Sequence, residues 1–261
     1  MNTTTASAIR LAMNAMPAPV TGSVHSFDVS TGVDGPGTRF VAFLAGCPLR
    51  CQYCHSPDTW YRRNGRPTTV DDLVTEIRRY ERFIKVSGGG VTLSGGEPLQ
   101  QPAFVREVLT RCQAMGLHTA LDTSGFLGDR ADDALLDATD LVLLDIKSGD
   151  PGTYRQVTRT GRLLPTIRFA RRLGDRGIPI WVRFVLVPGL TDDPANVEAV
   201  ADIVTAVPTV ERVEVLPFHR LGAAKYAALG LDFALAGTEP PGAELVERVR
   251  AQFRDRGLTV C

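Results

Sequence analysis

Three cysteines within eight residues, Cys47, Cys51 and Cys54, constrain this chain more than any other feature. They stand in Gly46-Cys47-Pro48-Leu49-Arg50-Cys51-Gln52-Tyr53-Cys54-His55, spaced C-x3-C-x2-C. Thiolates are soft ligands that favour zinc, Cu(I) or iron–sulfur clusters. Three of them can hold three irons of a 4Fe–4S cube and leave the fourth iron open to a small chelating ligand. With His55 beside them, the same cysteines can make a Cys3His zinc site. A disulfide framework fits less well. Five cysteines is an odd number, and a long chain with no convincing export signal points to reduced, intracellular thiols.

The remaining composition narrows the function classes. Hydrophobic residues are 44% and charged residues 22% of the 261, as in ordinary soluble domains. Lys+Arg and Asp+Glu balance at 29 each. That balance gives no footprint for nucleic acid or an anionic membrane surface, and no apolar run approaches the roughly 18 residues of a membrane span. The first 20 residues are rich in Thr, Ala and Met with Arg10 as their one charged side chain. Residues 1–21 therefore read as a flexible tail, and residues 22–261 as one cytoplasmic domain.

Strand and helix patterns alternate along that domain. Val24–Phe27 reads as a short first strand, and Thr31–Gly37 as a turn-rich loop. Thr38–Ala45 is β-branched and aromatic, a buried strand that runs straight into the cysteine loop. Further strands are expected at Gly88–Ser94, Leu117–Leu121, Leu141–Leu144, Ile178–Val187 and Val210–Leu216. Helices are expected at Thr69–Ile84, Pro102–Met115, Ala131–Ala138, Pro165–Leu173, Pro194–Val207 and Ala243–Phe253. Cys112 falls on the apolar side of its helix and reads as a core residue. Cys261 reads as a frayed tail thiol. About six strand–helix units argue for a parallel α/β fold, too few to close an eight-stranded barrel. The expectation is an open, partial (β/α)6 barrel.

In such folds the strands' C-terminal ends carry the site, and the unusual residues collect there. The cysteine loop follows one strand, Ser94-Gly95-Gly96-Glu97 another, and Asp122-Thr123 a third. Asp145-Ile146-Lys147 ends a fourth, and His219 follows the last. Charged residues at the ends of apolar strands are costly to bury without partners. A polar ligand is one partner; salt bridges at the rim are the other. Glycines at a strand end let the backbone approach a ligand closely.

These motifs, with HSFDVSTGVDGPGTRF, LDTSGF, LVLLDIK, VRFVLVPG and VEVLPFH, give the chain a resemblance from about Val24 to its C-terminus. It resembles the radical S-adenosylmethionine (SAM) enzymes, and within them the activating enzymes of glycyl radical enzymes, of the compact formate-lyase type that lacks extra cysteine clusters. The resemblance implies that Cys47, Cys51 and Cys54 ligate one 4Fe–4S cluster. It implies that Tyr53, His55, Ser94, Gly95, Gly96, Asp145, Ile146, Lys147 and His219 contact SAM, Lys147 through the SAM carboxylate. A monovalent cation is implied at Asp122, Thr123, Leu143 and Asp145, with Leu143, where Met is expected, serving through its carbonyl. Asp34 and Arg183 are implied contacts of the protein substrate. The implied reaction is reductive cleavage of SAM to a 5′-deoxyadenosyl radical, which makes a glycyl radical on pyruvate formate-lyase under anaerobic conditions. Flavodoxin or ferredoxin is the implied reductant. Two alternatives stand beside it: a radical SAM enzyme acting on a small molecule, and a zinc-binding module.

Overall fold

The computed structural model describes residues 19–261. The expected tail lies outside the described residues as far as residue 18, and Thr21 already opens the first strand. Eight strands form one sheet in the order β3-β1-β2-β4-β5-β6-β7-β8. They are β1 Thr21–Thr31, β2 Thr38–Leu44, β3 Arg66–Thr69, β4 Gly90–Gly95, β5 His118–Thr123, β6 Leu141–Asp145, β7 Ile180–Leu186 and β8 Val210–Pro217. The six strands β2 and β4–β8 run parallel, each paired to the next. This is the expected six-unit partial barrel. β1 and β3 add two antiparallel strands at one edge, and the expected short strand Val24–Phe27 is the middle of β1.

The helices are α1 Val70–Arg78, α2 Glu81–Val86, α3 Pro102–Ala114, α4 Asp133–Asp137, α5 Pro151–Thr158, α6 Leu163–Asp175, α7 Pro194–Thr205, α8 Ala223–Ala228 and α9 Ala243–Asp255. Their starts follow ordinary capping chemistry. The Thr69, Asp132, Asp150 and Asp193 side chains each accept a backbone N–H of the first turn, and Pro151 and Pro194 sit where a missing N–H is harmless.

Several sequence expectations need correcting. The single helix over 69–84 is two, α1 and α2. Arg79 and Tyr80 bond back to Glu76 and Ile77, a tightened last turn that ends α1. The break lets Tyr80 tilt against the Phe40 ring, with centroids 5.6 Å apart, while Ile84 is fully buried. Helices α5 and α8 and strand β3 were not anticipated. Nor is Cys261 frayed. Its N–H donates to Val213 O at 3.0 Å and its carbonyl accepts from Val215 N at 3.2 Å, so the chain end covers the outer edge of β8. The residue is nonetheless exposed.

The main core lies between the sheet and its helices. Phe40, Leu44, Leu93, Leu121, Val142, Leu144 and Phe184 are fully buried there against helices such as α3 and α6, and Cys112 lies among them as expected. Burial on both faces explains why the strands read as near-continuous apolar runs. The opposite, inner face is different in kind. Register places Val41, Thr92, Ala120, Leu143, Arg183 and Glu214 on that face. The small cluster of Ala120, Leu141, Leu143 and Trp181 is its apolar floor.

Candidate functional site

Residues at the C-terminal ends of the parallel strands surround a cavity of about 430 Å³. Cys47, Cys51, Tyr53, Cys54, His55, Ser94, Gly95, Gly96, Asp122, Thr123, Asp145, Lys147, Arg183 and His219 all line it. The expected residues outside the lining are Ile146, Leu143 and Asp34. Ile146 turns its side chain into the main core and donates its N–H to Arg183 O at 3.1 Å. Leu143 packs in the apolar floor. Asp34 sits behind the wall, bonded to Arg183, while its neighbour Val33 reaches the cavity.

Backbone bonds hold the cysteine loop from two sides. Gly46 N and Cys47 N donate to Thr59 O and Trp60 O at 2.7 and 2.9 Å. Arg50 N and Gln52 N donate to Thr158 O and Val157 O at the end of α5, both at 2.9 Å. The unforeseen helix α5 is thus the outer brace of the loop. Burial, first of all, pushes all three thiols upward, that of Cys51 to about 12. They are neutral thiols unless a metal draws off their protons.

Among the described residues, no three Cys, His, Asp or Glu side chains converge as the ligands of one metal ion do. All three cysteines line the cavity, and thiolates are the side chains that hold iron–sulfur clusters.

The glycine loop after β4 is tight for a packing reason as well as an access reason. Gly95 has φ +113, and a Cβ there would lie 2.3 Å from Leu44 N. A Cβ on Gly96 would lie 2.4 Å from Gly46 O. Gly96 N donates to Leu44 O and Glu97 N to Gly46 O, both at 2.8 Å, so this loop is laced to the cysteine loop. Glu97, 1% exposed, is the tie between loops that the sequence reading left without a role. It accepts from Leu99 N, Thr123 Oγ1 and both the N–H and Oγ of Ser124, at 3.1, 2.6, 3.0 and 2.5 Å. Burial raises its pKa while those donors offset the rise. Its place in Gly-Gly-Glu-Pro was the available signal.

Two charged groups dominate the far wall. Lys147 Nζ lies 3.0 Å from Asp145 Oδ2 and 5.5 Å from the centre of the Tyr53 ring. Burial works against the Lys147 charge, but Asp145 and its neighbours outweigh it and hold the ammonium well above its usual range. The Tyr53 hydroxyl is buried without a hydrogen-bond partner, an orphan donor on a residue that lines the cavity. Arg183 stands amid three carboxylates, 2.9 Å from Asp122, 3.4 Å from Asp34 and 3.7 Å from Glu214. Ser94 Oγ donates to Asp122 at 2.6 Å. Burial raises the Asp122 pKa, and the Arg183 guanidinium pulls it back only in part. Sequence reasoning missed Glu214; the one hint was its charge inside the strand run VERVEVLP. It also missed Trp60, whose indole lines the cavity beside Cys54.

At the mouth, the His55 and His219 rings lie 5.7 Å apart. Burial and the neighbouring His219 and Lys225 hold the His55 pKa down. Gly222, just before α8, packs so closely on the cysteine loop that a Cβ would meet His55 Cα at 2.8 Å.

The radical SAM superfamily model matches residues 41–199. The chain is 40% identical over 243 residues to the pyruvate formate-lyase 1-activating enzyme of Escherichia coli (strain K12), covering 92% of this chain and 98% of that protein. It is 43% identical over 233 residues to the pyruvate formate-lyase-activating enzyme of Listeria monocytogenes, covering 87% and 94%. A radical SAM methyltransferase from Sphaerobacter thermophilus shares the fold, with TM-score 0.63 at 16% identity over 100% of this chain and 81% of that one. The zinc-binding module is set aside on these findings. The chain belongs to the radical SAM superfamily, in the family of the pyruvate formate-lyase-activating enzymes.

Proposed function

We propose that this chain activates pyruvate formate-lyase by generating a glycyl radical on it, working in the cytoplasm as a single domain over residues 22–261. One observation supports this above the rest: three cysteines, a glycine strand end and the Lys147–Asp145 pair face one cavity at the open end of a six-unit parallel sheet. Cys47, Cys51 and Cys54 hold the 4Fe–4S cluster. When bound, cluster and SAM together supply the electron and the 5′-deoxyadenosyl radical that removes a Cα hydrogen from one glycine of the partner.

The chain's own residues bind and orient. Lys147 meets the SAM carboxylate and Gly95 and Gly96 offer backbone to its ammonium. Ser94 adds its hydroxyl, and Tyr53 supplies the donor that has no protein partner. Asp145 and His219 take the ribose, while His55 and the Ile146 backbone close the same pocket. A monovalent cation at Asp122, Thr123, the Leu143 carbonyl and Asp145 belongs to this reading and shares Asp122 with Arg183. Asp34 and Arg183 brace the side on which the glycine loop enters. A glycine suits a narrow entry because it lacks a Cβ. An external low-potential protein, flavodoxin or ferredoxin, supplies the electron. Among the described residues no helix is long and apolar enough to cross a membrane.

The test uses reconstituted, reduced enzyme with SAM and either pyruvate formate-lyase or a peptide copied from its glycine loop. An organic radical on the partner is expected, and deuterium placed on that glycine Cα should appear in 5′-deoxyadenosine. Efficient SAM cleavage with no radical and no label transfer would point instead to a small-molecule substrate.

A further inference from the structure

Around the cysteine loop, outside the cavity lining, lies a concentration of unpaired positive charge. Arg50, Arg62, Arg63, Arg155, Arg159 and Arg162 supply it, and five of these six are exposed. Among the described residues none of the six forms a salt bridge; single exposed arginines such as Arg78 and Arg82 are also unpaired, while Arg106, Arg111, Arg172 and Arg176 are paired, and what distinguishes this face is that six unpaired arginines gather on it. The face is contiguous. Arg50 is bonded through its N–H to Thr158 O at the end of α5, and its guanidinium lies 5.0 Å from the ring centres of both Trp60 and Tyr61. Arg63 lies over the other reach of the Tyr61 ring at 4.3 Å. The same Arg50 guanidinium donates to Cys47 O at 2.6 Å, so this surface touches the cysteine loop's backbone directly.

Arg159 adds an independent sign. It is the one residue other than glycine with positive φ among the described residues, at φ +61 where α5 ends. Glycine is the unstrained residue at such a helix end. A bulky cation kept in the left-handed region on this face is strain without a packing reward, since the side chain is exposed.

We infer that this arginine face is the docking surface for an acidic, low-potential one-electron carrier protein, which passes its electron through the cysteine loop from outside the cavity. The inference rests on the cluster reading above. It separates the traffic: the cavity mouth serves SAM and the glycine loop, and the electron arrives from outside the cavity lining. One electron leaves the carrier, which is oxidised, and enters the cluster, which is reduced. No bond is made and no proton moves. Unpaired arginines steer an acidic partner at long range and lose that effect as salt screens them.

Stopped-flow reduction of the reconstituted enzyme by reduced, acidic flavodoxin tests this, read from the cluster's visible band. Arg63→Glu/Arg162→Glu should lower the second-order rate at low salt by about tenfold or more and flatten its dependence on ionic strength. Arg159→Gly should raise the melting temperature and lower the same rate roughly two- to threefold. The matched reversal Arg78→Glu/Arg82→Glu, on exposed arginines at the end of α1 and the start of α2, should leave the rate near wild type. Photoreduced deazaflavin, which needs no docking, should reduce every variant equally. If it fails to reduce wild type, the cluster reading has failed rather than the docking surface. An unchanged rate and salt slope in the double reversal, or an equal loss in the matched control, overturns the inference. So does a double reversal that weakens binding of pyruvate formate-lyase instead.

Discussion

The two faces of the parallel sheet are built from the same strands and obey different physics. On the helix-covered face, Phe40, Leu44, Leu93, Leu121 and Leu144 are each fully buried among aliphatic neighbours. Any of them is replaceable by a residue of like volume. On the inner face, Arg39, Thr92, Asp122, Arg183 and Glu214 are joined by hydrogen bonds and ion pairs. Thr92 Oγ1 accepts from Arg39 Nε at 3.0 Å and donates to Asp34 O at 2.6 Å, so the inner network continues from the sheet floor to the loop behind the cavity. The outer face contributes stability by area. The inner face holds charge where chemistry is to happen, and each group there depends on its partners. A substitution should therefore reveal its face by what it changes besides stability.

The largest contrast is all or none. Cys47→Ala, Cys51→Ala and Cys54→Ala should each take reconstituted iron from roughly four per chain to near zero, as a cube lacking one thiolate is lost. Thermal unfolding of the metal-free variants should stay close to that of metal-free wild type. Retention of full iron by any one of the three would remove that cysteine from the ligand set.

Next in size is a pair matched in cost and opposed in pH dependence. Leu93→Ala on the outer face should destabilise by about 2–5 kcal/mol, equally at pH 5 and pH 7.5. Arg183→Leu should cost about 3–5 kcal/mol near neutrality, because three carboxylates lose the cation between them. The sign follows from Asp122. Its folded pKa lies above the unfolded value because of burial, and losing the guanidinium raises it further. A group so shifted contributes stability at pH below its unfolded value, near 4, and that contribution is lost as pH rises through the folded value. The Arg183→Leu deficit should thus shrink at pH 5 and reach full size by pH 7.5. Denaturant titrations at the two pH values decide it, and a deficit independent of pH would separate Arg183 from Asp122.

Legibility in the sequence divides along the same line. The outer face was readable because apolar runs such as Thr38–Ala45 and Leu141–Leu144 announce strands whatever their partners are. The rim was readable because Cys47, Gly95, Asp145 and His219 are unusual residues directly after such runs. The inner network was not. Arg183 and its partner Asp34 are 149 residues apart, and nothing local in VRFVLVPG states which carboxylates will face it. Asp145 and Lys147 were expected to reach separate parts of a ligand, yet they pair with each other at 3.0 Å. Two positions apart on a strand end, they share one face, a consequence of period-two alternation that the run LVLLDIK hides behind its aliphatic majority. The split of α1 from α2 was hidden for another reason. Arg78 and Arg79 are good helix formers, so nothing local announces the break that sets Tyr80 against Phe40.

A smaller effect sharpens the comparison at adjacent residues. Lys147→Met keeps the stem and removes the charge facing the cavity. Loss of a charged hydrogen bond of about 1.5–3 kcal/mol should weaken SAM binding roughly ten- to a hundredfold, with iron content unchanged. Ile146→Val, one residue away, trims a side chain 1% exposed in the main core. It should lower stability by about 0.5–1.5 kcal/mol and leave SAM affinity alone, because the Ile146 side chain lies in the main core, outside the cavity lining. Anaerobic calorimetric titration of both variants tests the alternation. Equal losses of affinity would mean that the two side chains do not face opposite ways in the loaded enzyme.

The smallest effect is expected from the cysteine that resembles the ligands in chemistry and differs in face. Cys112 is fully buried on α3 among aliphatic side chains of the outer core. Burial alone pushes its thiol up to about 12, so it is neutral throughout the working range and behaves as a small hydrophobe. Cys112→Ala removes one sulfur and leaves a cavity of about methyl size, a cost of about 1 kcal/mol. Its folded pKa is raised, so whatever the thiol contributes is fully present below the unfolded value near 9 and is lost only as pH climbs toward 12. The deficit between wild type and variant should therefore be flat from pH 5 to pH 8. Iron content and SAM affinity should equal those of wild type. Parallel denaturant titrations with iron analysis would check both statements, and iron loss in this variant would mean that the helix-covered face reaches the cluster after all.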